Sequence, residues 1–94
     1  MELKDMEYFL AIAREENITA AARTLHLSQP ALTKQLRSLE EEFGKQLVIR
    51  KNKGITLTED GMIFKRRSEE ILDLAQRTQN EIRTSYAEIS GSQL

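Results

Sequence analysis

Apolar side chains recur along the first 45 residues at the three- and four-residue spacing of amphipathic helices. Leu3, Met6, Phe9, Leu10 and Ala13 predict a first helix over about residues 4–15, which Asn17 breaks. Thr19 is the N-cap expected for a short second helix, Ala20 to His26, where Ala21, Ala22 and Leu25 leave room for another helix to approach. Leu27 falls in the turn that follows. Ser28 is a second N-cap candidate, and Pro30 stands in the first turn of a third helix, where its missing N–H has no intrahelical partner to lose. That helix extends to about Phe43 and ends on Gly44, the residue that enters the left-handed region at least cost. Within it Leu32, Leu36, Leu39 and Phe43, at spacings of 4, 3 and 4, form one apolar stripe that faces the core.

Beyond Gly44 the pattern changes. Leu47-Val48-Ile49 and Ile55-Thr56-Leu57-Thr58 flank Arg50-Lys51-Asn52-Lys53-Gly54, predicting two short strands around a basic tip in which Asn52 and Gly54 supply positive φ. Thr58 then caps a long helix with Glu59 and Asp60 in its first turn, and the first break signal is Ser90-Gly91-Ser92. One heptad series on this helix is Phe64, Ile71, Thr78 and Ser85; the other is Ser68, Ala75, Ile82 and Ile89. A helix of about 30 residues is about 45 Å long, more than one small domain covers, so its far half needs a partner. A second copy packed antiparallel through Ile71, Ala75, Thr78 and Ile82 would supply one and form a two-fold dimer. The expected fold is mainly α, a winged helix-turn-helix over residues 1–58 followed by a linker and dimerisation helix over 59–89.

Charge sharpens this picture. The 94 residues carry 14 basic and 15 acidic side chains, yet residues 34–67 hold nine basic against five acidic, a local balance of +4 between two acidic ends. An anionic partner follows. On the third helix Pro30, Thr33, Lys34 and Arg37 share an outward face with two cations and no acid. The major groove, about 12 Å wide, admits a helix, and there Gln29 can pair with adenine, Lys34 with guanine, and the methyls of Thr33 and Ala31 can meet a thymine methyl. Lys51 and Lys53 also fit a merely solvated turn, and Arg66 and Arg67, three and four residues from Glu69 and Glu70, fit a helix-surface ion pair as well as a phosphate contact. Cysteine is absent and His26 is the single histidine, best read as a packing or capping residue, so disulfides, cysteine-ligated zinc and histidine-based catalysis lack their residues. No metal site or cofactor is expected. Gly44-Lys45 lacks the glycine-rich run of a phosphate loop, no apolar run approaches a membrane span, and the charged N-terminus is unlike a signal peptide, so a cytoplasmic location is expected. On the residues alone two readings compete: a double-stranded DNA binder acting as a dimer, and a helical module whose long helix docks on another protein.

The run AAARTLHLSQPALTKQLRSLEEEFGKQL and the later GITLTEDG resemble the LysR-type transcriptional regulators, and the likeness covers nearly the whole chain. It implies a sequence-specific DNA-binding region, with Gln29, Pro30, Thr33 and Lys34 at the family's base-reading positions. Ser28 and Arg37 fall near the phosphates, and Arg50, Lys51 and Lys53 form a wing on the minor groove or backbone. Thr33 and Lys34 stand where the family commonly has Ser and Arg, and Val48 where it usually has an aromatic. The resemblance also implies a two-fold-symmetric target site and a homodimer through the linker helix, with higher oligomers in a full-length parent. Residues 90–94 are expected to be a hinge to an effector domain that this sequence lacks, and any small-molecule co-inducer belongs to that domain.

Overall fold

The computed structural model describes residues 1–92, with side chains through Thr84. Four helices and one hairpin follow in the order α1 (Leu3–Glu15), α2 (Ile18–Leu25), α3 (Gln29–Phe43), β1 (Val48–Lys51), β2 (Gly54–Leu57) and α4 (Glu59–Ser92). The winged helix-turn-helix expected from the sequence is the observed architecture.

The helix ends follow local hydrogen-bonding chemistry. Ser28 Oγ accepts the Ala31 N–H at 3.2 Å, Pro30 occupies the first turn of α3, and Gly44 closes that helix at φ 66°. For α2 the cap is Asn17, whose Oδ1 accepts the Ala20 N–H at 2.8 Å, so Thr19 lies inside the helix rather than capping it. Both residue types are good caps. Starting the helix two residues earlier brings Ile18 into the core at 5% exposure, and this burial decides between them. His26 is the C-cap in the left-handed region at φ 58°, outside the helical residues.

Met6, Phe9, Ala11 and Ile12 are the buried residues of α1; Leu3 of the expected stripe is exposed and Leu10 and Ala13 are half-buried. Ala21 and Ala22 bring α2 close to its neighbours, and Leu32, Leu36 and Leu39 complete the centre of the core. Phe43 lies at the core's rim, where its ring meets Phe64 edge-on at 5.4 Å, and Phe64 meets Phe9 at 5.0 Å. This aromatic chain ties α1, α3 and α4 together.

The hairpin pairs Val48 with Leu57 through Lys51 with Gly54. Arg50 and Lys51 therefore belong to β1, the tip contracts to Asn52-Lys53, and Gly54 (φ 93°) rather than Asn52 takes the positive φ. Gly54 is required for a second reason: a Cβ there would strike the carbonyl oxygen of Glu16, which accepts the Ile55 N–H at 2.9 Å and docks the wing on the α1–α2 turn. Gly61 has a similar part at the wing's base, where a Cβ would strike the Leu47 carbonyl. Thr58 Oγ1 accepts the Gly61 N–H at 3.0 Å and donates to Gln46 O at 2.7 Å, so the cap of α4 also fastens the start of the hairpin.

The 34 residues of α4 correspond to about 51 Å of helix, and the molecule is 62 Å in its longest dimension. Ser90-Gly91-Ser92 lies within this helix and does not interrupt it.

Candidate nucleic-acid interface

The N-cap and first turn of α3 fix where its outward side chains stand. Gln29, Pro30, Thr33, Lys34 and Arg37 line one open groove, joined at its far end by Ser38 and Glu41. The expectation of a face without acids therefore holds only over its first two turns, because Glu41 recurs one turn beyond Arg37. Gln29 also lines a second concavity, formed with Asn17 and Thr19 of the α1–α2 region and with Arg50 and Lys51 of the wing. α3 and the wing are thus brought together at Gln29. Lys53 lies apart from this junction, in the exposed two-residue tip.

Ser28, Gln29, Pro30, Lys34, Arg37, Arg50, Lys51 and Lys53 are exposed, and Thr33 is half-buried. Ser28 Oγ is engaged as an acceptor by the helix cap, which leaves its hydroxyl hydrogen to donate to an incoming anion. Gln29 Nε2 donates to Thr33 Oγ1 at 3.0 Å, on the same face.

The ion pairs are distributed unevenly. On α4, Lys65 meets Glu69 at 3.8 Å, Arg67 meets Glu70 at 2.7 Å and Arg77 meets Asp73 at 3.2 Å. Arg67 therefore follows the ion-pair reading, while Glu69 is engaged by Lys65 rather than by Arg66. Among the described residues none of Lys34, Arg37, Arg50, Lys51 and Lys53 joins an ion pair. Cations held apart from carboxylates keep their charge for an external anion. Among the described residues no His, Cys, Asp and Glu group is arranged to hold a metal ion, and no helix is long and apolar enough to cross a membrane.

One residue that carries this interface escaped the sequence reading. Glu40 Oε2 accepts the N–H groups of Leu47 at 2.7 Å and Val48 at 3.4 Å, so a carboxylate of α3 anchors the first strand of the wing. In the sequence it counts only as one of three consecutive acids, and nothing in its spacing separates it from its neighbours.

The proposed association face of α4 begins where the domain ends. Phe64 and Ser68 are buried and Leu72 packs against the core, whereas Ile71 is 37% exposed, Leu74 58% and Ile82 66%. Ala75 is half-buried and Thr78 exposed, its Oγ1 donating to Leu74 O at 2.8 Å. Leu74 thus joins the expected series, while Ser85 and Ile89 lie outside the described side chains.

Compared with known proteins, residues 3–62 match the sequence profile of the bacterial regulatory helix-turn-helix proteins of the lysR family. The HTH-type transcriptional regulator BsdA of Bacillus subtilis (strain 168) is 40% identical over 93 residues, 98% of this chain and 32% of that protein. BudR of Klebsiella aerogenes, also an HTH-type transcriptional regulator, is 48% identical over 64 residues, 68% of this chain and 45% of that protein. The chain thus spans less than half the length of either relative. Among solved structures, the CbnR DNA-binding domain in complex with DNA superposes with a TM-score of 0.86 at 40% identity, over 90% of this chain and 98% of that one. The BenM DNA-binding domain in complex with catB site 1 DNA gives 0.85 at 32% identity, over 89% and 94% of the two chains.

Proposed function

Because this chain belongs to the LysR family of bacterial regulatory helix-turn-helix proteins, we propose that it binds double-stranded DNA sequence-specifically as a dimer and regulates transcription from a two-fold-symmetric site in the cytoplasm. Residues 1–58 form the reading domain and α4 the linker that joins two copies. Gln29, Pro30 and Lys34 meet base edges in the major groove with Thr33 on the same face, Ser28 and Arg37 meet phosphates beside them, and Arg50, Lys51 and Lys53 meet the minor groove or backbone. No catalytic step is involved.

The observation that carries this reading is the segregation of charge. The cations of α3 and the wing have no carboxylate partner among the described residues, while three of those on α4 do. Such a surface suits a polyanion. The solved CbnR and BenM domains of the same fold, complexed with DNA, support the assignment.

The test is a titration with duplex DNA at rising salt. Each phosphate neutralised releases counterions, so log K falls against log salt with a slope of roughly −0.9 per phosphate contact. Neutralising Arg50 and Lys53 together is expected to flatten that slope by about two. Affinity that does not change with salt would overturn the proposal.

A further inference from the structure

Three threonines within the helices use their hydroxyls differently. Thr78 Oγ1 donates to Leu74 O at 2.8 Å, a carbonyl of its own helix, and Thr24 Oγ1 has Ala20 O at 3.1 Å and the Glu15 carboxylate at 3.4 Å as acceptors. Thr33 Oγ1 instead accepts from Nε2 of Gln29, one turn earlier on the outward face of α3. This bond lies at the junction of helix and wing.

A carboxamide offers one acceptor oxygen and two N–H donors, and its last torsion is soft, so a free glutamine presents either end of the amide with little preference. In the structure one N–H of the carboxamide is committed to Thr33 Oγ1. In this orientation Gln29 offers Oε1 and its second N–H, an acceptor and a donor side by side. Adenine presents the complementary pair on its major-groove edge, the N6 amino group and N7. We infer that Thr33 is a positioning residue for Gln29, its hydroxyl oxygen holding the carboxamide in the orientation that reads adenine, so that the two side chains act as one specificity determinant. This rests on the DNA-reading function proposed above and replaces the simpler idea that Thr33 contacts a base independently.

The test uses the full chain and its preferred duplex, with each base pair of the half-site varied in turn. Gln29→Ala first identifies the pair that Gln29 reads. Thr33→Val keeps the shape and methyl of the side chain but removes the acceptor, and Thr33→Ser keeps the acceptor. Preference for adenine at that pair is expected to fall roughly tenfold in Thr33→Val and to survive in Thr33→Ser, with preferences elsewhere unchanged. Gln29→Ala combined with Thr33→Val is expected to discriminate no worse than Gln29→Ala alone. Replacing that adenine with 7-deazaadenine, which lacks the N7 acceptor, is expected to weaken the wild type more than Thr33→Val. The inference is overturned if Thr33→Val retains the preference, if it loses preference evenly at every position, or if no pair depends on Gln29. A wild-type chain that prefers no sequence at all gives a different result and overturns the DNA-reading function itself.

Discussion

Gln29 stands where the groove of α3 and the cleft beside the wing meet, and a side chain at such a junction contributes differently from the cations around it. Charge on Arg50 or Lys53 attracts any phosphate, whereas a carboxamide distinguishes one base edge from another. Gln29→Ala is therefore expected to cost roughly 1–3 kcal/mol on the preferred duplex and little on random DNA; equal losses on both, measured by competition binding, would remove Gln29 from the reading surface. Glu40 makes a different prediction. Its carboxylate accepts two backbone N–H groups at the start of β1, and Leu47 and Val48 are both buried. Glu40→Ala leaves those donors without their acceptor and is expected to destabilise the fold by roughly 1–3 kcal/mol, read as a lowered denaturation midpoint. An unchanged midpoint would show that water replaces the carboxylate. The sequence discloses Gln29 and hides Glu40 for one reason: helix position and side-chain type are local properties, but the amides that Glu40 serves come within reach only when the chain turns at Gly44.

The elements divide in the same way. The turn of α2 into α3 and the end of α3 are legible because Leu27, Ser28, Pro30 and Gly44 each act within a few residues of themselves. The start of α2 is less so, since Asn17 and Thr19 are both competent caps and only the burial of Ile18 selects the first. In the wing, strand pairing draws Arg50 and Lys51 into β1, and Gly54 is dictated by a carbonyl belonging to Glu16, 38 residues earlier in the chain. On α4 the heptad series locates the apolar face, but the point where that face leaves its own core depends on how far α1 extends alongside it. Phe64, Ser68 and Leu72 lie on the near side of that point, and Leu74 and Ile82 beyond it. Burying an isoleucine is worth roughly 1.5–3 kcal/mol, and at Ile82, 66% exposed, residues 1–58 supply little of that burial. Ile82→Asp is expected to sediment as a monomer at micromolar concentration with the helical signal of residues 1–58 retained, because a two-fold interface would bury the unpaired charge twice. A mutant that remains dimeric would place the association surface elsewhere.

Over the whole molecule, 62 Å in its longest dimension, a long helix leaving the N-terminal domain suits joining two such domains at a fixed separation. Two recognition helices entering successive major grooves on one side of a duplex require half-site centres about one helical turn apart, roughly 34 Å, or a multiple of that distance. Inserting about five base pairs between the half-sites turns one of them to the opposite side of the duplex, so binding is expected to fall towards that of a single half-site. Undiminished binding would mean that the two domains are not held in register. The central claim, that this surface reads DNA sequence as a symmetric pair, is tested most directly by selecting bound duplexes from a random pool and sequencing them. Enrichment of an inverted repeat whose halves each retain an adenine dependent on Gln29 is expected; a bound pool as random as the input would overturn that claim.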